Sequence, residues 1–109
     1  MEPIDLITIT GEYDYPIIIQ RAMYADGHLA VIADCEDPDL GGARVPWGHI
    51  SVNLSELELA PGFFVLSHDL TPKMKQLIID TITDKKYGRT PVSFGYATSD
   101  IVRLKDEFM

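Results

Sequence analysis

Apolar and polar residues alternate along much of the chain, most sharply in residues 44–54, where Ile50, Val52 and Leu54 share one parity and Ser51 and Asn53 the other. Period-two alternation marks a strand with one buried face and one wet face. The same stretch holds the only tryptophan, Trp47, so it reads as the strand around which the sheet assembles. Ahead of it, residues 4–10 are β-branched on both parities, which predicts a strand buried on both faces. Residues 11–14 then turn the chain into a second strand at 14–24, with Pro16 near its start because proline donates nothing to a ladder. Ala25, Asp26 and Gly27 supply a tight turn into a third strand at 28–34, so two hairpins follow in series. Residues 36–42, with a proline, two glycines and three acids, are a loop by composition.

The second half switches period. Residues 55–61 read as a short turn of helix or an irregular connection and 62–67 as a short apolar strand. Thr71 then stands as an N-cap and Pro72 as the first helical residue, with Met74, Leu77, Ile78 and Ile82 at helical spacing and Gly88 as the stop. A helix over about 72–86 follows, its apolar stripe on the sheet and Lys85 and Lys86 complementing the dipole in its last turn. Residues 89–105 return to period two through Val92, Phe94 and Tyr96 and form one or two closing strands. Strands in series with a single late helix predict one α+β domain over residues 1–109. Its sheet is mostly antiparallel, of about five to six strands, with the helix packed on one face.

Charge changes this picture more than composition does. The 109 residues are ordinary for a globular protein, 46% hydrophobic and 24% charged. Residues 1–70, however, carry twelve acids against two arginines, and residues 71–109 five acids against seven bases, dividing the total of −8 into −10 and +2. Such a field repels nucleic acid and anionic membrane and favours a protein partner with a basic surface. The acidic N-terminus has no basic and apolar leader pattern and no apolar run spans a bilayer, so a cytoplasmic protein is expected.

Little local chemistry is written in the chain. The acids Asp34, Glu36, Asp37 and Asp39 precede Gly41 and Gly42 but miss the EF-hand spacing, so no metal site is expected. His28, His49 and His68 are isolated from one another. Only if the strands bearing His28 and His49 paired, with Cys35 joining them, would a small metal-dependent enzyme become the alternative. The lone Cys35 excludes an internal disulfide, and its acidic neighbours disfavour the thiolate. No serine lies in a nucleophile motif and Gly88-Arg89-Thr90 is no phosphate loop, so neither catalytic residues nor a cofactor are expected. Trp47, Phe63, Phe64, Phe94 and Tyr96 are expected in the core, and Tyr13, Tyr15 and Tyr24, beside turns and acids, on a contact surface.

Tyr24-Ala25-Asp26-Gly27-His28-Leu29-Ala30-Val31, Asp34, and Ile50-Ser51-Val52-Asn53-Leu54 give a Y-x-D-G-x-L-A turn and strand followed by an S/T-V-N-L strand. With these motifs, and more loosely through Gly88-Arg89-Thr90 and Phe94-Gly95-Tyr96, the chain resembles an uncharacterised family of short acidic proteins carried by phages and conjugative elements. The resemblance implies a mobile-element origin and brings no catalytic residue. Together with the charge it leads to the expectation of a non-enzymatic inhibitor that mimics nucleic acid toward a basic host defence protein. Its contact surface would be Asp26, Asp34, Glu36, Asp37 and Asp39, with Glu12 and Asp14 nearby. A structural homo-oligomer pairing sheet edges through the tail strand is a further alternative.

Overall fold

The computed structural model describes residues 2–109. Eight strands and one main helix follow along the chain as β1 (Ile4–Ile9), β2 (Ile17–Met23), β3 (Leu29–Asp37), β4 (Ala43–His49), β5 (Ser51–Val52), β6 (Phe63–Leu66), α1 (Pro72–Thr81), β7 (Thr90–Phe94) and β8 (Ala97–Arg103). Short 3-10 turns occupy Pro38–Leu40, Lys85–Tyr87 and Asp106–Phe108. The class is α+β and every strand pairing is antiparallel. The strands divide between two sheets of four, ordered β1-β2-β3-β4 and β5-β6-β8-β7.

The division happens inside residues 44–54, which form no central strand. Pro46 faces Asp34 without an N–H to offer, and the β3–β4 register shifts between Ala33 and Asp34. A strand with that defect belongs at an edge, where β4 lies. The chain then bends at Ile50, which is fully buried and bonded to both sheets. Its N–H donates to the Val31 carbonyl at 2.9 Å, and its own carbonyl accepts from Ser67 N–H at 2.9 Å. Beyond the bend, β5 is an edge of the second sheet.

Ser51, expected on the wet face, is only 2% exposed. Where the first sheet's ladder ends, its hydroxyl replaces the missing strand: Val31 N–H donates to Ser51 Oγ at 2.9 Å, and Ser51 Oγ donates back to the Val31 carbonyl at 3.3 Å. With the serine hydrogen so used, Tyr24 is the donor in its 2.7 Å contact with Ser51 Oγ. A polar residue thus occupies the interior because it completes a ladder that would otherwise leave a buried N–H unpaired.

One core cluster joins both sheets and the helix. Ile9, Ile17, Ile19, Val31, Ala33 and Cys35 come from the first sheet, Phe64, Leu66 and Val102 from the second, with Leu104 just beyond it, and Met74, Ile78, Ile79 and Ile82 from α1 and its C-terminal end. The helix begins as its sequence predicts, with Thr71 Oγ1 accepting from Met74 N–H at 3.2 Å and Pro72 following. It ends at Thr81, earlier than expected, because the next residues have other partners. Thr83 Oγ1 donates to the Ile79 carbonyl at 2.7 Å, and Thr83 bridges to Leu104. Lys85 and Lys86 therefore lie in a separate 3-10 turn capped by Asp84, outside the helix.

Other expectations change with the topology. β1, expected to be covered on both faces, is an edge strand with Ile4 44% exposed. Tyr96, expected in the core, stands fully exposed in the β7–β8 connection. Tyr13 and Tyr15, expected at a contact surface, pack against the core, Tyr13 meeting Trp47 edge-on with ring centres 6.1 Å apart. Of the tail strands, β8 lies inside the second sheet and β7, at its edge, carries Pro91. Among the described residues no helix is long and apolar enough to cross a membrane.

Candidate functional site

The pairing of β2 with β3 decides which acids meet. Ile17 faces Cys35 at one end of this ladder and Met23 faces Leu29 at the other. The β1–β2 connection, bearing Glu12 and Asp14, therefore lies at the same end as Glu36, Asp37 and Asp39. Glu36 N–H ties the two together by donating to the Pro16 carbonyl at 3.1 Å. Asp26 lies at the far end, six residue steps along β3 and so roughly 20 Å away.

Local geometry fixes the near end. Asp37 caps the Pro38–Leu40 turn, its Oδ1 accepting from Asp39 N–H at 2.9 Å, and Gly42 N–H closes back on the Asp37 carbonyl at 2.9 Å. That closure needs left-handed backbone at Gly41 and Gly42, φ 66° and 83°, which glycine adopts without a Cβ penalty. Glu12, Asp14, Glu36 and Asp39 are exposed and Asp37 half-buried. Among the described residues, only Glu12 of these five has a cation within 4 Å, Lys73 Nζ at 3.8 Å. Lys73 also donates to the Glu12 carbonyl and lies 4.6 Å above the Tyr13 ring, so the first turn of α1 braces this connection.

Asp34 does not share this freedom. Arg44, on the edge strand β4, lies across the first sheet and forms a two-pronged pair with Asp5 of β1, both bonds 2.9 Å. It also reaches Asp34 at 3.2 Å, while Gln20 Nε2 donates to Asp5 at 2.9 Å. The Arg44 hydrogen bond, and after it that of Gln20, holds the Asp5 carboxyl below its ordinary range, and Asp5 in turn raises Arg44. Asp34 thus belongs to a compensated network on four strands. Arg44, one of only two arginines among the twelve acids of residues 1–70, was the signal in the sequence, but periodicity does not say that opposite edges of a sheet can meet through one long side chain.

At the far end Asp26 is also occupied. Its Oδ1 accepts from His28 N–H at 3.0 Å and its Oδ2 from Asn53 Nδ2 at 3.0 Å. The Asn53 bond, then that from the His28 backbone, lowers the Asp26 pKa. His28 Nδ1 stands 2.9 Å from Asn53 Oδ1. The Y-x-D-G and V-N-L motifs are therefore partners of each other: Tyr24 with Ser51, and Asp26 and His28 with Asn53.

The residues of the metal alternative are spread out. His49 is exposed at the end of β4 opposite Ile32, and Cys35 is buried in the core. His28 is engaged with Asn53. Among the described residues no three His, Cys, Asp or Glu side chains gather in metal-binding geometry. The chain matches no family model, no curated protein and no solved structure.

Proposed function

We propose that this protein is a non-enzymatic interaction protein whose acidic end docks on a basic, nucleic-acid-binding surface of another protein. The observation that carries the reading is that Glu12 and Asp14 of the β1–β2 connection lie at the same end of the first sheet as Glu36 and Asp37 of β3 and Asp39 just beyond it, with a single neighbouring cation within 4 Å among the described residues. Carboxylates so placed stand where phosphates would and compete for the partner's lysines and arginines. Asp26 and Asp34, tied to Asn53 and Arg44, contribute to the long-range field and not to the contact. The reading places the protein in the cytoplasm, as an inhibitor from a mobile element acting on a host defence protein.

The test compares affinity capture from host lysate by the parent and by a variant with Glu12→Gln, Asp14→Asn, Glu36→Gln and Asp39→Asn. Asp37 is kept because its carboxylate caps the 3-10 turn. A protein captured by the parent is expected to be lost with the variant and displaced by added nucleic acid. It should also be released as ionic strength rises from about 0.1 M to about 1 M, which shortens the screening length from about 10 Å to about 3 Å. Capture indifferent to the substitutions, to salt or to nucleic acid overturns the reading.

A further inference from the structure

We infer that Pro46 and Pro91 guard the sheet edges against strand addition, each turning a backbone nitrogen without a proton to the free side of its strand. With a bulge at Leu6 and the shortness of β5, they leave none of the four edges among the described residues able to take a further strand, from a second copy or from a partner. An unpaired edge otherwise offers N–H and C=O groups on every second residue to any extended chain that meets it. The edges are β1 and β4 in the first sheet, β5 and β7 in the second.

Register decides what each edge offers. In β7 the turn fixes the pattern: Phe94 faces Ala97 across the two residues Gly95 and Tyr96, with Gly95 at φ 56°, so Phe94 and Ala97 exchange the first hydrogen bonds of the hairpin. Bonded and non-bonded pairs alternate from there, which makes Pro91 and Asp100 a non-bonded pair and directs the Pro91 nitrogen away from β8. The proline takes nothing from the β7–β8 ladder and removes a donor from the free edge. In β4 the neighbouring strand fixes the pattern. Glu36 N–H donates to the Pro16 carbonyl on the β2 side, so Asp34 N–H, two residues earlier, also points to β2. Asp34 and Pro46 are then a non-bonded pair, and the Pro46 nitrogen faces outward as well. Carried across β2, the same alternation turns the N–H groups of Asp5 and Thr8 to the free side of β1. The bulge at Leu6 sets them three residues apart, where a regular partner strand bonds at every second residue. β5 has only Ser51 and Val52 to offer. An extended segment of a partner and the tail strand of a second copy are thus both refused, and contacts with other molecules fall to side chains. This holds independently of the docking proposed for the acidic end.

The experiment follows amide hydrogen exchange in the full chain and in Pro91→Thr, which restores the outward donor and leaves the β8 ladder as it is. In the parent, the outward amides of Asp5, Thr8 and Ser93 should exchange at the same rate at about 10 μM and at about 1 mM, the range in which open edges associate. In Pro91→Thr the Ser93 amide should slow as concentration rises, while light scattering gives a mass approaching twice that of one chain. Slowing of any of the three parent amides with concentration overturns the inference, and so does a Ser93 amide in the variant that is indifferent to concentration. The parent measurement needs no variant, so it decides the matter if Pro91→Thr does not fold.

Discussion

Removing the Ser51 hydroxyl tests the junction between the sheets most directly. In Ser51→Ala the Val31 N–H, in a residue fully buried, loses its acceptor at 2.9 Å, and Tyr24 loses the partner of its 2.7 Å contact. An orphaned buried donor costs about 1–3 kcal/mol, and the half-exposed tyrosine about 0.5–1 more because water partly replaces its partner. The sum, about 1.5–4 kcal/mol, is a large share of the 5–15 kcal/mol typical of a domain. At roughly 4 °C per kcal/mol it lowers Tm by roughly 6–16 °C. Tyr24→Phe alone should cost about 0.5–1.5 kcal/mol. Adding it to Ser51→Ala should cost less, because the tyrosine hydroxyl is by then without its partner. Urea unfolding of the four proteins measures the cycle. A Ser51→Ala loss below about 0.5 kcal/mol, the lower bound for a single net hydrogen bond, would refute the view that this hydroxyl completes the ladder.

Arg44→Gln should lower stability at neutral pH by less than about 1 kcal/mol, since its partners are substantially exposed. Asp5 is held below the ordinary carboxyl range, so its contribution is complete above the unfolded value of about 3.9 and fades as pH falls through the lower folded value. Urea midpoints of parent and variant should therefore differ at about pH 7 and converge at about pH 2, and a gap that persists in acid refutes the pairing. Gly62→Ala should cost about 1–3 kcal/mol, because φ there is +86° and a Cβ would also collide with the Met109 sulfur. Deleting Met109 should not recover that loss in a thermal melt, since the backbone conformation itself is the larger penalty.

What the sequence makes legible is local. Thr71 and Pro72 announce the helix start because capping is a relation between neighbours, and the hairpin at Asp26–Gly27 follows from two residues with special backbone freedom. The bend at Ile50 was hidden because alternation continues straight through it, and period two does not report a change of sheet. Pro46 was the available sign that residues 44–54 begin at an edge. Of the acidic surface, the meeting of Glu12 and Asp14 with Glu36, Asp37 and Asp39 follows once hairpin register is known. The withdrawal of Asp34 depends on Arg44 reaching across the first sheet to opposite edges, a tertiary relation that spacing along the chain does not encode.

Because the chain changes sheet only once, at Ile50, the first sheet is built wholly from residues emerging before it and the second wholly from residues after it. During synthesis at about 5–20 residues per second, the remaining 59 residues take roughly 3–12 s to appear. Hairpins close in about 1–10 μs. The nascent first half therefore waits seconds for the residues that cover Ile9, Ile17, Ile19 and Val31 in the finished fold. Ribosome-bound chains from which residues 1–50 have emerged and the rest have not are the form of this protein most exposed to aggregation and to capture by chaperones.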